Sequence, residues 1–168
     1  SYQSDKMPKV SLVLPRQDAH FNKLDINDDN DIEVRFLDDA YAVSNFVNKA
    51  KATNYLEEIV YIVGSDQFNS EWTGLTTKGT PQLNILSYQD AFKVICEHEA
   101  AMLLALAKEC DSLKVIFIPG NHDQYVGWHL INWLEAYLKN TNIEFESSTL
   151  NTKYHKYGNT AIMLNHGD

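Results

Sequence analysis

The sequence of 168 residues is short of cysteine, of proline and of positive charge. Its two cysteines, Cys96 and Cys110, match no zinc-ligand spacing and are too few for a disulfide framework. It carries 14 lysines and arginines against 23 aspartates and glutamates, a formal net charge of −9, which excludes a large basic surface for a polyanion. No run approaches the roughly 20 apolar residues of a membrane-spanning helix, and no signal-peptide pattern opens the chain. These absences predict a cytoplasmic protein that does not enter a membrane.

The residues that are present have the composition of one globular domain. Apolar residues make up 44% of the chain and charged residues 22%, which is the balance of a folded protein. No internal repeat or low-complexity linker divides the sequence, so we expect residues 1–168 to form a single domain. The chain begins with Ser1 rather than methionine, and we therefore expect it to be a fragment of a longer protein.

Short apolar runs alternate with helical patterns along the chain. The runs and alternating stretches predict strands over 9–14, 59–63, 115–118, 143–146, 153–157 and 161–164. Apolar residues at helical spacing predict helices over about 37–54, 88–109 and 126–138. This order predicts an α/β domain whose first strands are parallel. Residues 65–84 show neither period, and a segment of that length without secondary structure is expected to be functional.

Metal-binding residue types follow the predicted strands. Ligands bind at the carboxyl ends of the strands in sheets of this class. The segments at those ends are Asp18-Ala19-His20, Gly64-Ser65-Asp66, Gly120-Asn121-His122-Asp123 and His166-Gly167. Oxygen and imidazole ligands without a thiolate suit Mn²⁺, Fe, Zn²⁺ or Ni²⁺ in a catalytic site and argue against a structural zinc site.

In their order these segments resemble the signature of the calcineurin-like metallophosphoesterases. That signature runs D-x-H, G-D-x-x-D/N, G-N-H-D/E, a histidine often followed by glycine, and G-H-x-H. The resemblance covers about residues 10–168, with two departures from the pattern. The second block, 64–69, reads Gly-Ser-Asp in place of Gly-Asp, and the chain ends at Asp168 before any G-H-x-H block. The segments 76–82 and 154–168 look most like a phage- and prophage-associated branch that is often described as DNA-repair-exonuclease-like.

The resemblance implies a fold and a metal centre. The fold is a sandwich of two central mixed β-sheets flanked by helices, here without its C-terminal strands. The metal centre holds two divalent ions, with Mn²⁺ as the first expectation and Fe, Zn²⁺ or Ni²⁺ as alternatives. The family places Asp18 and His20 on one ion, Asn121 and His166 on the other, and Asp66 between them as a bridge. Such a pair activates a hydroxide for in-line attack on phosphorus.

Two further residues are assigned to catalysis by the same resemblance. His122 is expected near the leaving group, as a general acid or as a donor to the phosphate. Asn69 stands three residues after Asp66, where relatives often have a carboxylate that orients this histidine, and its amide is expected to hydrogen-bond the ring.

The implied function is metal-dependent hydrolysis of a phosphoester. A phosphodiesterase or nuclease is the first expectation, which makes nucleic acid a candidate substrate. A phosphomonoesterase such as a protein phosphatase is the second. A catalytically incomplete module that binds a metal or phosphate is the third, because the last ligand motif is missing.

Three residues are candidates for binding the substrate. Trp72 and Lys78 lie in the loop after Asp66, and loops over a rigid sheet commonly select the substrate. Trp72 either stacks on a base or sugar or packs the loop onto the protein. His129 either faces the cleft or is a partly buried structural histidine, and the second interpretation is favoured.

Three other residues have structural interpretations. His98 stands between two glutamates and is expected on a solvated helix face. His155 lies in a strand rich in lysine and tyrosine and is expected to be exposed. Asp123 is expected to cap the helix that follows it, which is compatible with a metal site at Asn121 and His122.

Overall fold

The computed structural model describes residues 7–167, so Ser1 and Asp168 lie outside the described residues. Within that range the elements, in chain order, are β1 Lys9–Leu14, α1 Ile32–Lys51, β2 Tyr55–Gly64, α2 Tyr88–Leu106, β3 Ser112–Ile118, α3 Gln124–Tyr137, β4 Glu144–Glu146, β5 Thr152–Tyr157 and β6 Thr160–Asn165. The α/β class predicted from the sequence is confirmed.

The first four strands form a parallel sheet in the order β1-β2-β3-β4. The three connecting helices pack on one face of the sheet, as the right-handed rule for crossovers between parallel strands predicts for this strand order. The main core lies between that face and the helices, and Ile59, Tyr61 and Val63 of β2 point into it. The alternate residues of β2 therefore point to the opposite face.

The opposite face is covered by β5 and β6, which form an antiparallel hairpin. Leu164 of β6 packs there against a smaller buried cluster of Val60, Ile62, Ile116 and Ile118. Burial on both faces explains why β2 and β3 are continuous apolar runs. The two sheets are thus one purely parallel and one purely antiparallel, whereas the resemblance implied two mixed sheets.

Helix α1 begins earlier than its apolar pattern predicts. The side chain of Asp31 accepts hydrogen bonds from the backbone nitrogens of Glu33 and Val34, at 2.9 and 3.4 Å, and so caps a first turn in which Ile32 already packs against the core. The helix buries Val43 and Val47 against the sheet, and its outer side exposes large apolar side chains such as Leu37 and Tyr41 beside polar ones. Across residues 7–167, none of the helices combines the length and the apolar character that crossing a membrane requires.

Candidate metal centre

The loops after β1 and β2 are joined at the carboxyl edge of the sheet. The backbone nitrogens of Asp18, His20 and Phe21 donate to the carbonyl oxygens of Ser65, Asp66 and Gln67 at 2.9, 3.0 and 3.0 Å. These bonds hold the D-x-H segment beside Asp66, although the two are far apart in sequence.

Backbone strain is concentrated in these two loops. Asp18, His20, Ser65 and Asp66 have φ angles of 55°, 42°, 57° and 67°. This left-handed region is uncommon for residues with side chains and costs on the order of 1–3 kcal/mol for each residue. Such strain persists only where the surrounding structure enforces it, and it clusters at functional sites. The strain therefore supports a functional site at this edge.

Gly120 allows the loop after β3 to reach Asp66. A Cβ atom at this position would lie 2.5 Å from the backbone nitrogen of Asp66 and 2.6 Å from Oδ1 of Asp123, and would overlap Oδ1 of Asp66. Because position 120 is glycine, the backbone nitrogen of His122 can donate to Asp66 Oδ1 at 2.8 Å.

Asp66 lies at the centre of the cluster and is only 1% exposed. One ligand atom from each of His20, Asp66 and His122 lies within 4.8 Å of the other two. The rings of the two histidines meet edge to face, with their centroids 4.6 Å apart. Asp66 Oδ2 is also 3.3 Å from Nε2 of His166. Three imidazoles thus surround one buried carboxylate.

His166 follows β6 and brings the hairpin to the same point. Its Nε2 lies 3.1 Å from Asn121 Oδ1, and its Nδ1 lies 2.8 Å from the hydroxyl of Ser65. Ser65 is the residue that makes the second segment read Gly-Ser-Asp, and sequence reasoning gave it no role. Its hydroxyl fixes one side of the His166 ring while the other side faces Asp66.

Asp18 lies at the rim of the cluster. Its side chain is 69% exposed, and its Oδ1 is 3.7 Å from Nε2 of His20. The carboxylate therefore adds negative charge on the open side of the site.

The properties of His20 fit a metal ligand. Its Nδ1 is buried and has no hydrogen-bond partner among the described residues. Burial and the neighbouring His122 lower the pKa of its imidazole, against the opposing charges of Asp66 and Asp18. A neutral imidazole retains a lone pair for a cation. Together with carboxylate and amide oxygens, it forms a donor set that fits a first-row divalent ion.

His122 is oriented by the backbone of Asn69 and not by its side chain. The Nδ1 atom of His122 lies 2.9 Å from the Asn69 carbonyl oxygen, which can only accept, so Nδ1 carries the proton and Nε2 faces the site with a lone pair. The Asn69 amide instead donates to the carbonyl oxygen of Leu83 and to Asn84 Oδ1. The prediction that this amide orients His122 is therefore wrong.

The Asp123 side chain bonds the loop after β2 rather than capping α3. The carboxylate is fully buried and accepts hydrogen bonds from the backbone nitrogens of Asp66 and Phe68, at 3.1 and 3.0 Å. Burial raises the pKa of the Asp123 carboxyl, and the bond from Phe68 opposes that shift. The expectation of a side-chain cap is wrong because these two nitrogens occupy the carboxylate.

The cap of α3 comes from Glu71, a buried residue of the loop after β2. Its carboxylate accepts from the backbone nitrogens of Tyr125 and Val126, both at 3.0 Å, and from the hydroxyl of Thr77 at 2.8 Å. The apolar residues of this loop follow neither helical nor strand spacing, so the sequence does not predict a structural role for Glu71. Glu71 ties the loop to the helix that begins directly after His122.

Replacing Glu71 by alanine is expected to lower the free energy of unfolding by about 1–3 kcal/mol, because it leaves buried donors without an acceptor. Urea denaturation measures this difference. Asp38→Ala, on the exposed side of α1, is the control and is expected to stay within about 0.5 kcal/mol of wild type. Equal stability of Glu71→Ala and wild type would contradict the capping role.

Three histidines outside the cluster differ from their sequence-based expectations. His98 is largely buried, with Nε2 2.8 Å from Asp39 Oδ2 and its ring stacked on Phe36. His155 is 6% exposed and lies 2.8 Å from Glu58 Oε1, because alternate residues of β5 face the parallel sheet. His129 is exposed on α3 rather than partly buried.

A cleft of about 310 Å³ opens beside Asn121 and His166. Lys78 lines it, and its role in binding a substrate stays a prediction. Trp72 is 63% exposed and lines a separate pocket of about 240 Å³, next to the side chain of Asn69. His129 is not among the described residues that line the cleft.

The predicted ligands therefore lie together, whereas Trp72 and His129 lie away from the cleft. The residues that meet at the carboxyl edge are Asp18, His20, Asp66, Asn121, His122 and His166. Comparison of the chain with protein-family models, with curated proteins and with solved structures finds no match.

Proposed function

We propose that the chain is a metal-dependent phosphoester hydrolase of the calcineurin-like type, with a phosphodiester as its first substrate class. The observation that carries the proposal is the meeting of His20, Asp66 and His122, with ligand atoms within 4.8 Å of one another. The positive φ angles in the same loops support it, because backbone strain of this kind clusters at active and ligand-binding sites.

Two divalent cations fit the donor groups around Asp66, with Mn²⁺ as the first choice. Asp18 and His20 would hold one ion, Asn121 and His166 the other, and Asp66 both. Bound there, the ions supply Lewis acidity and lower the pKa of a water molecule, which gives a nucleophile for phosphorus.

The protein groups around this centre orient the reaction. Asp123 holds the backbone nitrogen of Asp66, and the glycine at position 120 leaves room for the backbone nitrogen of His122 to bond the Asp66 carboxylate. His122, with Nδ1 held by the Asn69 carbonyl oxygen, presents Nε2 to the site. After taking up a second proton at Nε2, the ring can donate it to the oxygen that leaves phosphorus.

The proposal is tested by metal titration together with hydrolysis. Mn²⁺ is titrated into the chelator-treated protein in a calorimeter, and turnover of bis-p-nitrophenyl phosphate and p-nitrophenyl phosphate is then followed. We expect metal-dependent turnover that favours the diester and that a chelator abolishes. His166→Ala is expected to weaken Mn²⁺ binding at least about tenfold, since even residues that only orient metal ligands affect affinity by that much.

His129→Ala is the matched control, because His129 is exposed and lies outside the cluster. It is expected to bind Mn²⁺ and turn over as wild type does. A preference for the monoester would overturn the diester assignment. Binding of Mn²⁺ without turnover of either ester would overturn the hydrolase assignment and favour a binding module.

A further inference from the structure

The cleft beside the metal centre is in a position to select the substrate. Asn121 and His166, two of the proposed ligands, form part of its wall, so a group that occupies the cleft lies next to the metal centre. The other polar side chains of the wall come from Lys78, Gln124 and Asn151 among others. Their chemistry indicates what the cleft can bind.

The charge of the cleft wall limits the charge of the ligand. Lys78 is the one lining side chain, among the described residues, with a permanent charge. A nucleic-acid polymer presents a row of phosphates and is held by several lysines or arginines. With Lys78 as the one basic side chain beside the proposed ions, the cleft of this acidic chain is instead suited to a ligand with a single phosphate.

The amides of the wall are available to a ligand. Within residues 7–167, the side chains of Gln124 and Asn151 make no hydrogen bond to the protein. An amide offers both donors and acceptors, as a hydroxyl group does, whereas a phosphate oxygen only accepts. The aromatic ring among the described lining residues is the imidazole of His166, which is held by Asn121 and Ser65, and the wall has no phenylalanine, tyrosine or tryptophan on which a base would stack.

From these features we propose that the cleft is the subsite for an uncharged, hydroxyl-bearing group, a sugar or polyol, of a small phosphodiester. The inference rests on the proposed hydrolase function and narrows its substrate class. A volume of about 310 Å³ is at the small end of ligand pockets and suits one such group. Gln124 and Asn151 then act as residues that determine specificity by bonding the hydroxyl groups.

The test compares two diesters with the same charge, carbon count and leaving group, glyceryl and propyl p-nitrophenyl phosphate. We expect kcat/KM to be about tenfold higher for the glyceryl ester, because the amides of the wall can hydrogen-bond its two hydroxyl groups and cannot bond a propyl group. In Gln124→Leu the ratio is expected to fall below about threefold, with the propyl ester little affected. Gln89→Leu, at an exposed glutamine of α2, is the matched control and is expected to keep the wild-type ratio.

A second measurement needs no turnover. sn-Glycerol 3-phosphate is titrated into the metal-free protein, and the side-chain amide signals of Gln124 and Asn151 are followed by nuclear magnetic resonance. We expect both signals to shift, and unchanged signals would overturn the subsite. Equal kcat/KM for the two esters, or faster cleavage of an oligothymidylate than of either, would overturn it as well.

Failure of the hydrolase proposal has a different signature. In that case neither ester is cleaved in the presence of Mn²⁺, while the amide signals still report whether the cleft binds a polyol phosphate.

Discussion

Asp66→Asn is expected to lower metal-dependent diester hydrolysis by about 10³-fold or more, which is about 4 kcal/mol of transition-state stabilisation. Asp66 is the buried carboxylate that the proposed ions share, and His166 lies 3.3 Å from its Oδ2. Asparagine keeps the shape and the Oδ1 atom that accepts from the backbone nitrogen of His122. The change therefore removes the charge and one ligand oxygen while it preserves the contact that joins the two loops.

The measurement is kcat/KM for bis-p-nitrophenyl phosphate with Mn²⁺, beside urea denaturation of the same variant. Asp38→Asn, at an exposed position of α1, is the matched control and is expected to keep full activity. Ordinary turnover by a folded Asp66→Asn protein would refute the shared role of this carboxylate. If the variant loses both its activity and much of its free energy of unfolding, the denaturation curve shows that unfolding accounts for the lost activity.

The sequence predicts where the candidate ligands lie, because each of them follows an apolar run within a few residues. Parallel strands bring their carboxyl ends to one edge of the sheet. Asp18, His20, Asp66 and His166 could therefore be placed at one edge from strand order alone. The structure confirms that these four residues lie at that edge. Their roles as metal ligands stay a prediction, which the Mn²⁺ titration tests.

The groups that orient the ligands could not be predicted in this way. His122 is held by a backbone carbonyl, Ser65 holds His166 through a serine hydroxyl of a kind that is common in loops, and Glu71 acts from a loop without helical or strand periodicity. Such contacts depend on how loops pack in three dimensions. The burial of His155 likewise depends on the hairpin covering the second face of the sheet, which strand pairing alone does not reveal.

A buried polar network lies behind the candidate metal centre, and the sequence position of one of its members predicts a polar contact. Glu99 is a charged residue on the apolar stripe of α2, between Ile95 and Leu103, and it is fully buried. A glutamate at such a position needs partners, because a buried unpaired charge is costly. Its position on the stripe therefore predicts a buried polar contact.

The partners of Glu99 connect α2 to the loop that holds Asp66. Oε2 of Glu99 accepts from the hydroxyl of Tyr61 at 2.6 Å, and Oε1 accepts from Nε2 of Gln67 at 2.8 Å. Gln67 in turn accepts from the backbone nitrogen of Gly64 at 2.7 Å, at the start of the strained turn. Arg16 donates to the Tyr61 hydroxyl at 2.7 Å and lies 3.5 Å from Glu99 Oε1. Burial and the charge of Glu99 raise the pKa of Tyr61, so its hydroxyl stays a donor.

Glu99→Ala is expected to lower the free energy of unfolding by about 3–5 kcal/mol, because removing one partner of a buried charged network leaves the others uncompensated. Tyr61 and Gln67 lose their acceptor, and Arg16 loses one of its two carboxylates. Glu99→Gln keeps the shape and is expected to cost less. Urea denaturation gives both values, and Glu97→Ala, exposed two residues earlier on α2, is expected to stay within about 0.5 kcal/mol of wild type.

The same network is expected to affect metal binding. Because Gln67 links Glu99 to the turn before Asp66, Glu99→Gln should also weaken Mn²⁺ binding, whereas Glu97→Ala should not. If Glu99→Gln is less stable than wild type but binds Mn²⁺ equally well, the network stabilises the fold and does not contribute to metal binding.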